Sequence, residues 1–299
     1  MSTAGNARPP TLDTVLEAHR AWVEQRPGGV RADFSGLRLP GADLTGAMLP
    51  GALLRGASLE GARLGRADLR NAQLDNADLT GADLTAARLD GAVLVGAVLV
   101  EACLRQTMLR KATLHGARLI EAQLDQCDFQ EALLGGASLH QARVSGCDFG
   151  GTELNETLFY GTHLAGCRFT SAAGKRASFA SSRVDDCDFR RAAIPEANFC
   201  RARVSRLHCY LTVLTGANFE GARLSGVEFA TADLSGSRFH GADLVYADLR
   251  AVNLRDGTGL TGSQLGQART DAATTLPNGS PGPYMRGTGA EQPGRRRSG

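Results

Sequence analysis

The 299-residue sequence is poor in the side chains that usually fill a globular core: aromatics make up 5% and there is one tryptophan. Of 33 basic residues only Lys111 and Lys175 are lysine, a compositional bias without mechanistic content. The net charge of +2 excludes nucleic-acid binding by bulk charge. No apolar run is long enough to span a bilayer. The longest, Ala92 to Val100, has nine residues including Gly96, against the ~20 a spanning helix needs. Residues 1–10 lack the apolar segment of a signal peptide. The seven cysteines show no paired close spacing, which argues against a secreted disulfide framework. The expected setting is the cytoplasm, with no membrane contact.

What the sequence does have is a repeat of five. From Phe34 in steps of five, through Leu39, Leu44 and Leu49 to Leu254, there are 45 centres without an insertion. The centre is Leu, Ile, Val or Phe everywhere except Gly174 and Cys209, and all 11 phenylalanines occupy it. Two residues before each centre stands a small residue (Ala42, Ala47, Ala52, later Cys127, Thr152); two residues after it, 20 repeats have glycine. A step of five smears around an α-helix and alternates faces on a straight strand. Every centre points inward only if the backbone bends once per repeat, and glycine two residues on suits a bend at positive φ. The chain therefore winds as a solenoid. Cys127, Cys147, Cys167 and Cys187 recur at 20 residues, as do Arg183, Arg203 and Arg223. A coil of 20 residues has four sides, which gives about 11 coils and a rod of roughly 50 Å at ~4.8 Å per coil.

Ala42-Asp43-Leu44, Ala67-Asp68-Leu69, Ala77-Asp78-Leu79 and Ala82-Asp83-Leu84 resemble the A(D/N)LXX pattern of the bacterial pentapeptide-repeat family. The resemblance covers residues 32–254 and implies a right-handed quadrilateral β-helix.

The expected organisation is a disordered segment 1–10, a capping helix and turn over 11–29, the β-helix over 30–256, a cap segment over 257–277 and a disordered tail over 278–299. Leu12, Val15, Leu16, His19, Trp22 and Val23 share one helical face, so Trp22 is expected on the first coil, closing one end of the core. A short helix is expected over 262–269. The Gly-, Pro-, Ser- and Arg-rich composition beyond 278 reads as disorder.

No chemistry-bearing constellation accompanies the repeat. The cysteines at 20-residue spacing fill the niche of alanine, the six histidines form no ligand pair, Gly174-Lys175 lacks the rest of a phosphate loop, and no nucleophile has a base beside it. The expectation is no catalytic, metal or cofactor site and no small-molecule substrate. The core is expected to hold Leu84, Phe129, Phe149, Phe169, Phe189, Cys127, Cys147, Cys167 and Cys187. Function then lies on the outer faces, as a rigid scaffold for a macromolecular partner.

Three surface features stand out. Asp128, Asp148, Asp188, Glu228 and Asp248 form an acidic ladder. Arg143, His163, Arg183, Arg203 and Arg223 form a basic ladder on the next face, which Arg176, Arg190, Arg191 and Arg206 extend into a belt. Nine successive glycine-free bends from Ser171 to Leu211 suggest another turn type, and Gly174 a loosened coil. Val93, Val95, Val98, Val100 and Ile120 form an apolar corner suited to a homodimer. Family resemblance implies an alternative. Cys127-Asp128-Phe129, Cys147-Asp148-Phe149 and Cys187-Asp188-Phe189 resemble the quinolone-resistance subgroup, dimeric acidic rods that resemble DNA and protect gyrase, a type II topoisomerase. The rod of this chain is neutral, with 25 basic and 25 acidic residues over 31–255.

Overall fold

The computed structural model describes residues 11–294; the expectations for residues 1–10 and 295–299 lie outside them. Backbone bridges join residues 20 apart, in parallel, from Asp33↔Leu53 to Arg238↔Thr258. Four such series, starting at Asp33, Arg38, Asp43 and Met48, define the four faces of a quadrilateral β-helix. On the third face, the one starting at Asp43, the path is straight enough for three-residue strands. These are β1 (Cys103–Arg105), β2 (Gln123–Asp125), β3 (Arg143–Ser145), β4 (His163–Ala165), β5 (Arg183–Asp185) and β6 (Arg203–Ser205), paired in chain order as one parallel sheet.

Inside, the pattern works as the small–X–large sequence dictates. Leu84 and the other centres from Leu44 to Leu254 are buried, Gly174 excepted, and so are the small residues two before them from Ala52 onward. Phenylalanines one coil apart stack face to face, Phe149 on Phe169 at 4.7 Å and Phe169 on Phe189 at 4.5 Å. Phenylalanines on neighbouring sides meet edge to face, as Phe159 and Phe169 do at 5.8 Å, the geometry that ring quadrupoles favour. Polar residues in the small slot are satisfied by bonds to backbone carbonyls, Thr152 and Ser182 to the one three residues earlier and the rest across to the neighbouring coil. The hydroxyls of Thr107, Thr157, Thr162, Thr212 and Ser237 each donate to the carbonyl 23 residues earlier, at 2.7–3.0 Å. Cys127, Cys147 and Cys167 direct their thiols the same way. A thiol neighbour and burial push the Cys147 and Cys187 thiols far up, and burial does the same to Cys209; these are structural, unreactive groups.

The corners correct one expectation and bear on another. Ser171, Arg176, Ser181, Asp186, Arg191, Glu196, Arg201, Arg206 and Leu211 all sit at φ of 48–62°, in the same left-handed region as Gly166 at 62°. The turn type does not change where glycine disappears, because stacking of the coil on its neighbours fixes the bend. Gly174 does distort its coil. The corner bond from the small residue to the preceding centre, present as Thr157 N to Leu154 O and Ala197 N to Ile194 O, has no counterpart from Ala177 N to Gly174 O. Gly174 N still donates to Ala193 O at 3.0 Å, and a Cβ at Gly174 would lie 2.5 Å from the carbonyl carbon of Leu154.

Helix α1 (Leu12–Val23) starts at Thr11, whose hydroxyl accepts from Thr14 N, a standard N-cap. His19, fully buried, plugs the first coil by accepting Ala32 N–H at Nδ1, 2.9 Å. Trp22 lies off the core axis, against Gly51 at a corner, stacked on His19 at 5.2 Å and 41% exposed. At the other end α2 (Gly262–Gln267) carries a Thr261/Gln264 capping box, and Gln264 Nε2 donates to Phe239 O and Ala242 O of the last coil.

Residues 278–294, expected to be disordered, fold back onto this cap. Gly282 N donates to Thr274 O, Asn278 N to Ala290 O and Tyr284 N to Thr270 Oγ1, while Ala290 is buried. Glycine and proline here build tight turns whose hydrogen-bond partners lie on the cap. Composition alone cannot register those partners.

Candidate partner-binding face

The third face carries the basic ladder. Register places Arg143, His163, Arg183 and Arg203 directly over one another on β3 to β6, with Arg223 bridged to Arg203. All five side chains are exposed, and the rung spacing of a parallel sheet sets them ~4.8 Å apart. Among the described residues, Arg143, Arg203 and Arg223 form no ion pair, and Arg183 reaches only Asp185 at 3.6 Å. Asp185 is itself occupied. It accepts from the Ser205 hydroxyl and from Arg206 at 3.1 Å, contacts that hold its carboxyl below the ordinary range. Most flanking positions are small, Ser145, Ala165, Ser205 and Ser225 on one side and Gly161, Ser181 and Gly221 on the other, with Asp185, Gln141 and Arg201 as the larger neighbours, so much of the approach to the guanidinium groups is open.

The belt does not hold together as a single site. Arg176 lies on another corner, paired with Glu156; Arg190 is on the fourth face, paired with Asp188; Arg191 is at the corner beyond it; Arg206 turns back to Asp185. Only the five-rung ladder is contiguous.

The acidic ladder, on the fourth face, is paired within that face. Asp188 takes Arg190 at 2.6 Å, Asp248 takes Arg250 at 2.6 Å, Asp148 takes Arg168 at 2.6 Å, Asp128 approaches Arg110 at 3.8 Å and Glu228 takes His208 at 2.9 Å. The pairing partner often stands two residues on, as in Asp188-Phe189-Arg190. That Asp-X-Arg spacing, also seen at Asp68-Leu69-Arg70, was the sequence signal that these acids are not free. Burial raises the Asp188 carboxyl but hydrogen bonds from Arg190 overrule it and hold it low.

At the valine corner, Val93, Val98, Val100 and Ile120 are half-buried and only Val95 reaches 36% exposure. Clefts on the rod are shallow. One of about 530 Å³ lies between α1 and the first corner beside Trp22; a smaller one of about 300 Å³ is lined by Arg105, Gln123, Asp125, Arg143 and Ser145 at the start of the basic ladder. Among the described residues no cluster of His, Cys, Asp or Glu is placed to hold a metal ion, and no helix is long and apolar enough to cross a membrane.

A filled, four-sided solenoid with its variation on the outer faces defines the repeat-scaffold class of protein. The sequence profile described as "Pentapeptide repeats" matches in eight copies, over stretches running from 30–64 to 228–256, and the chain belongs to this family. Among solved structures it is similar to HetL, a pentapeptide repeat protein involved in heterocyst differentiation regulation from Nostoc sp. strain PCC 7120. Identity is 26%, with 92% of this chain and 100% of that chain covered and a TM-score of 0.40. It is also similar to QnrB1, a plasmid-mediated fluoroquinolone resistance protein, at 17% identity over 79% of this chain and 90% of that one, TM-score 0.27. A thylakoid-lumen pentapeptide repeat protein of Arabidopsis thaliana shares 31% identity over 36% of this chain and 64% of its own, TM-score 0.12. No functionally curated protein matches.

Proposed function

We propose that this protein is a non-enzymatic cytoplasmic scaffold that engages a macromolecular partner through the third face. The observation that carries this reading is the contrast between neighbouring faces: the acids of the fourth are paired in place, while Arg143, Arg203 and Arg223 of the third have no ionic partner among the described residues. Exposed like charges one rung apart repel, and such a ladder is relieved when a complementary surface covers it. Protection of gyrase by DNA mimicry calls instead for a column of free carboxylates, which the Asp-Arg pairing of the fourth face does not supply.

The test is co-purification from cells that express the gene, comparing wild type with Arg143→Glu/Arg203→Glu. A partner bound by wild type and absent from the variant, with the melting temperature unchanged, supports the reading; identical bound material from both sinks it.

A further inference from the structure

Resting on the reading above, we infer that the third-face ladder receives an acidic α-helix of a partner protein, laid along the rod axis with one carboxylate per turn against each rung. The argument is one of spacing and width. Five rungs make four steps of ~4.8 Å, or roughly 19 Å. A helix repeats its side-chain face every 5.4 Å, so carboxylates at i, i+4, i+7, i+11 and i+14 advance by about one rung each. The accumulated mismatch over the ladder is ~2 Å, well within the reach of an arginine side chain. An extended peptide laid the same way offers one same-side residue every ~6.6–6.8 Å and falls out of step after two rungs.

Charge density decides against nucleic acid. Beside the rungs stand both signs, Asp185 and Asp186 next to Arg183, Arg201 and Arg206 next to Arg203, with Arg206 already on Asp185. A duplex brings one phosphate per ~1.7 Å of its axis on two strands, a density that a single column with one rung per ~4.8 Å does not match. A single helix with one acidic edge matches one such column. Guanidinium groups bind carboxylates through two parallel hydrogen bonds, and the small residues flanking the column leave much of the approach open.

The experiment is fluorescence anisotropy of full-length protein with four labelled probes: an 18-residue Ala-rich helical peptide with Glu at positions 2, 6, 9, 13 and 16, its composition-matched scramble, a 15-nucleotide single strand and a 15-base-pair duplex. The expected result is peptide binding that falls at least tenfold for the scramble, at least tenfold in Arg183→Glu/Arg203→Glu, and steeply from low to physiological salt. Tighter binding of either nucleic acid than of the peptide, equal binding of the scramble, or no binding of any probe overturns the helix assignment and leaves the scaffold reading standing. Measurable binding of a probe that is equal for wild type and the double variant removes the third face as a binding surface, and the scaffold reading falls with it.

Discussion

Replacing Phe169 by alanine tests whether the aromatic column is the structural spine of the C-terminal half. Phe169 is fully buried, with Phe149 and Phe189 stacked above and below it and Phe159 and Phe179 meeting it edge on at 5.8 and 6.0 Å. Phe→Ala in a core usually loses ~3–5 kcal/mol, and four ring contacts at ~0.5–1.5 kcal/mol each beyond simple burial place this site at the top of that range, about 5 kcal/mol. Leucine fills the same niche in the N-terminal coils, so Phe169→Leu keeps most of the volume and loses mainly the ring contacts, about 2 kcal/mol. Urea denaturation followed by circular dichroism gives the totals, and hydrogen exchange locates them. Each coil touches only its neighbours, so protection should fall first at amides such as Phe169 N and Asp188 N, which bond to adjacent coils. An alanine loss below about 2 kcal/mol, or two variants within about 1 kcal/mol of each other, would refute the claim that stacked rings set the stability there.

Burial holds the His19 imidazole below its ordinary value; its contribution is complete above ~6.5 and is lost as pH falls through the folded value. Protection factors of α1 amides, corrected for the intrinsic exchange rate, should therefore fall between pH 7.5 and pH 5, and a flat profile would mean that His19 does not anchor the cap. Burial pushes the Asp68 carboxyl up, but Arg70 at 2.5 and 2.7 Å outweighs it and holds it low. Its stabilisation is present above ~3.9 and disappears on further acidification, so Asp68→Asn should show a smaller drop in Tm from pH 7 to pH 2.5 than wild type. Gly174→Ala should lose more than about 2 kcal/mol by urea denaturation, because the new Cβ meets Leu154 backbone and not a yielding side chain. Val95→Lys with Val100→Lys should change stability by less than about 0.5 kcal/mol and leave the mass by light scattering unaltered; conversion of a dimer to monomer would make the valine corner an interface.

The solenoid was legible because its core needs only two facts, a small residue and a large one at fixed offsets, repeated without a slip. The basic ladder was legible for the same reason, since 20-residue spacing converts directly into register. Pairing was harder to read. Whether Asp188 is free depends on Arg190 curling back two residues, a rotamer choice that the ladder argument ignored although the Asp-X-Arg spacing announces it. Turn geometry at Leu211, φ 55°, was hidden because the residue's own preference opposes the conformation its neighbours impose. Tertiary contact also explains the C-terminal segment, where Tyr284 packs against a partly polar cap that no local pattern reveals.

An unbroken 20-residue register also makes the rod a measuring device with two independent scales. Removing 20 residues between α1 and the ladder, for example 66–85, would bring the arginine column one rung, ~4.8 Å, nearer the capped end without turning it. Removing five, for example 76–80, would leave the small–X–large core pattern continuous yet rotate everything downstream by a quarter turn relative to α1. Axial distance and angular bearing, which most folds entangle, are here adjustable one at a time. A partner that touches both the Trp22 end and the basic column would read those two settings separately.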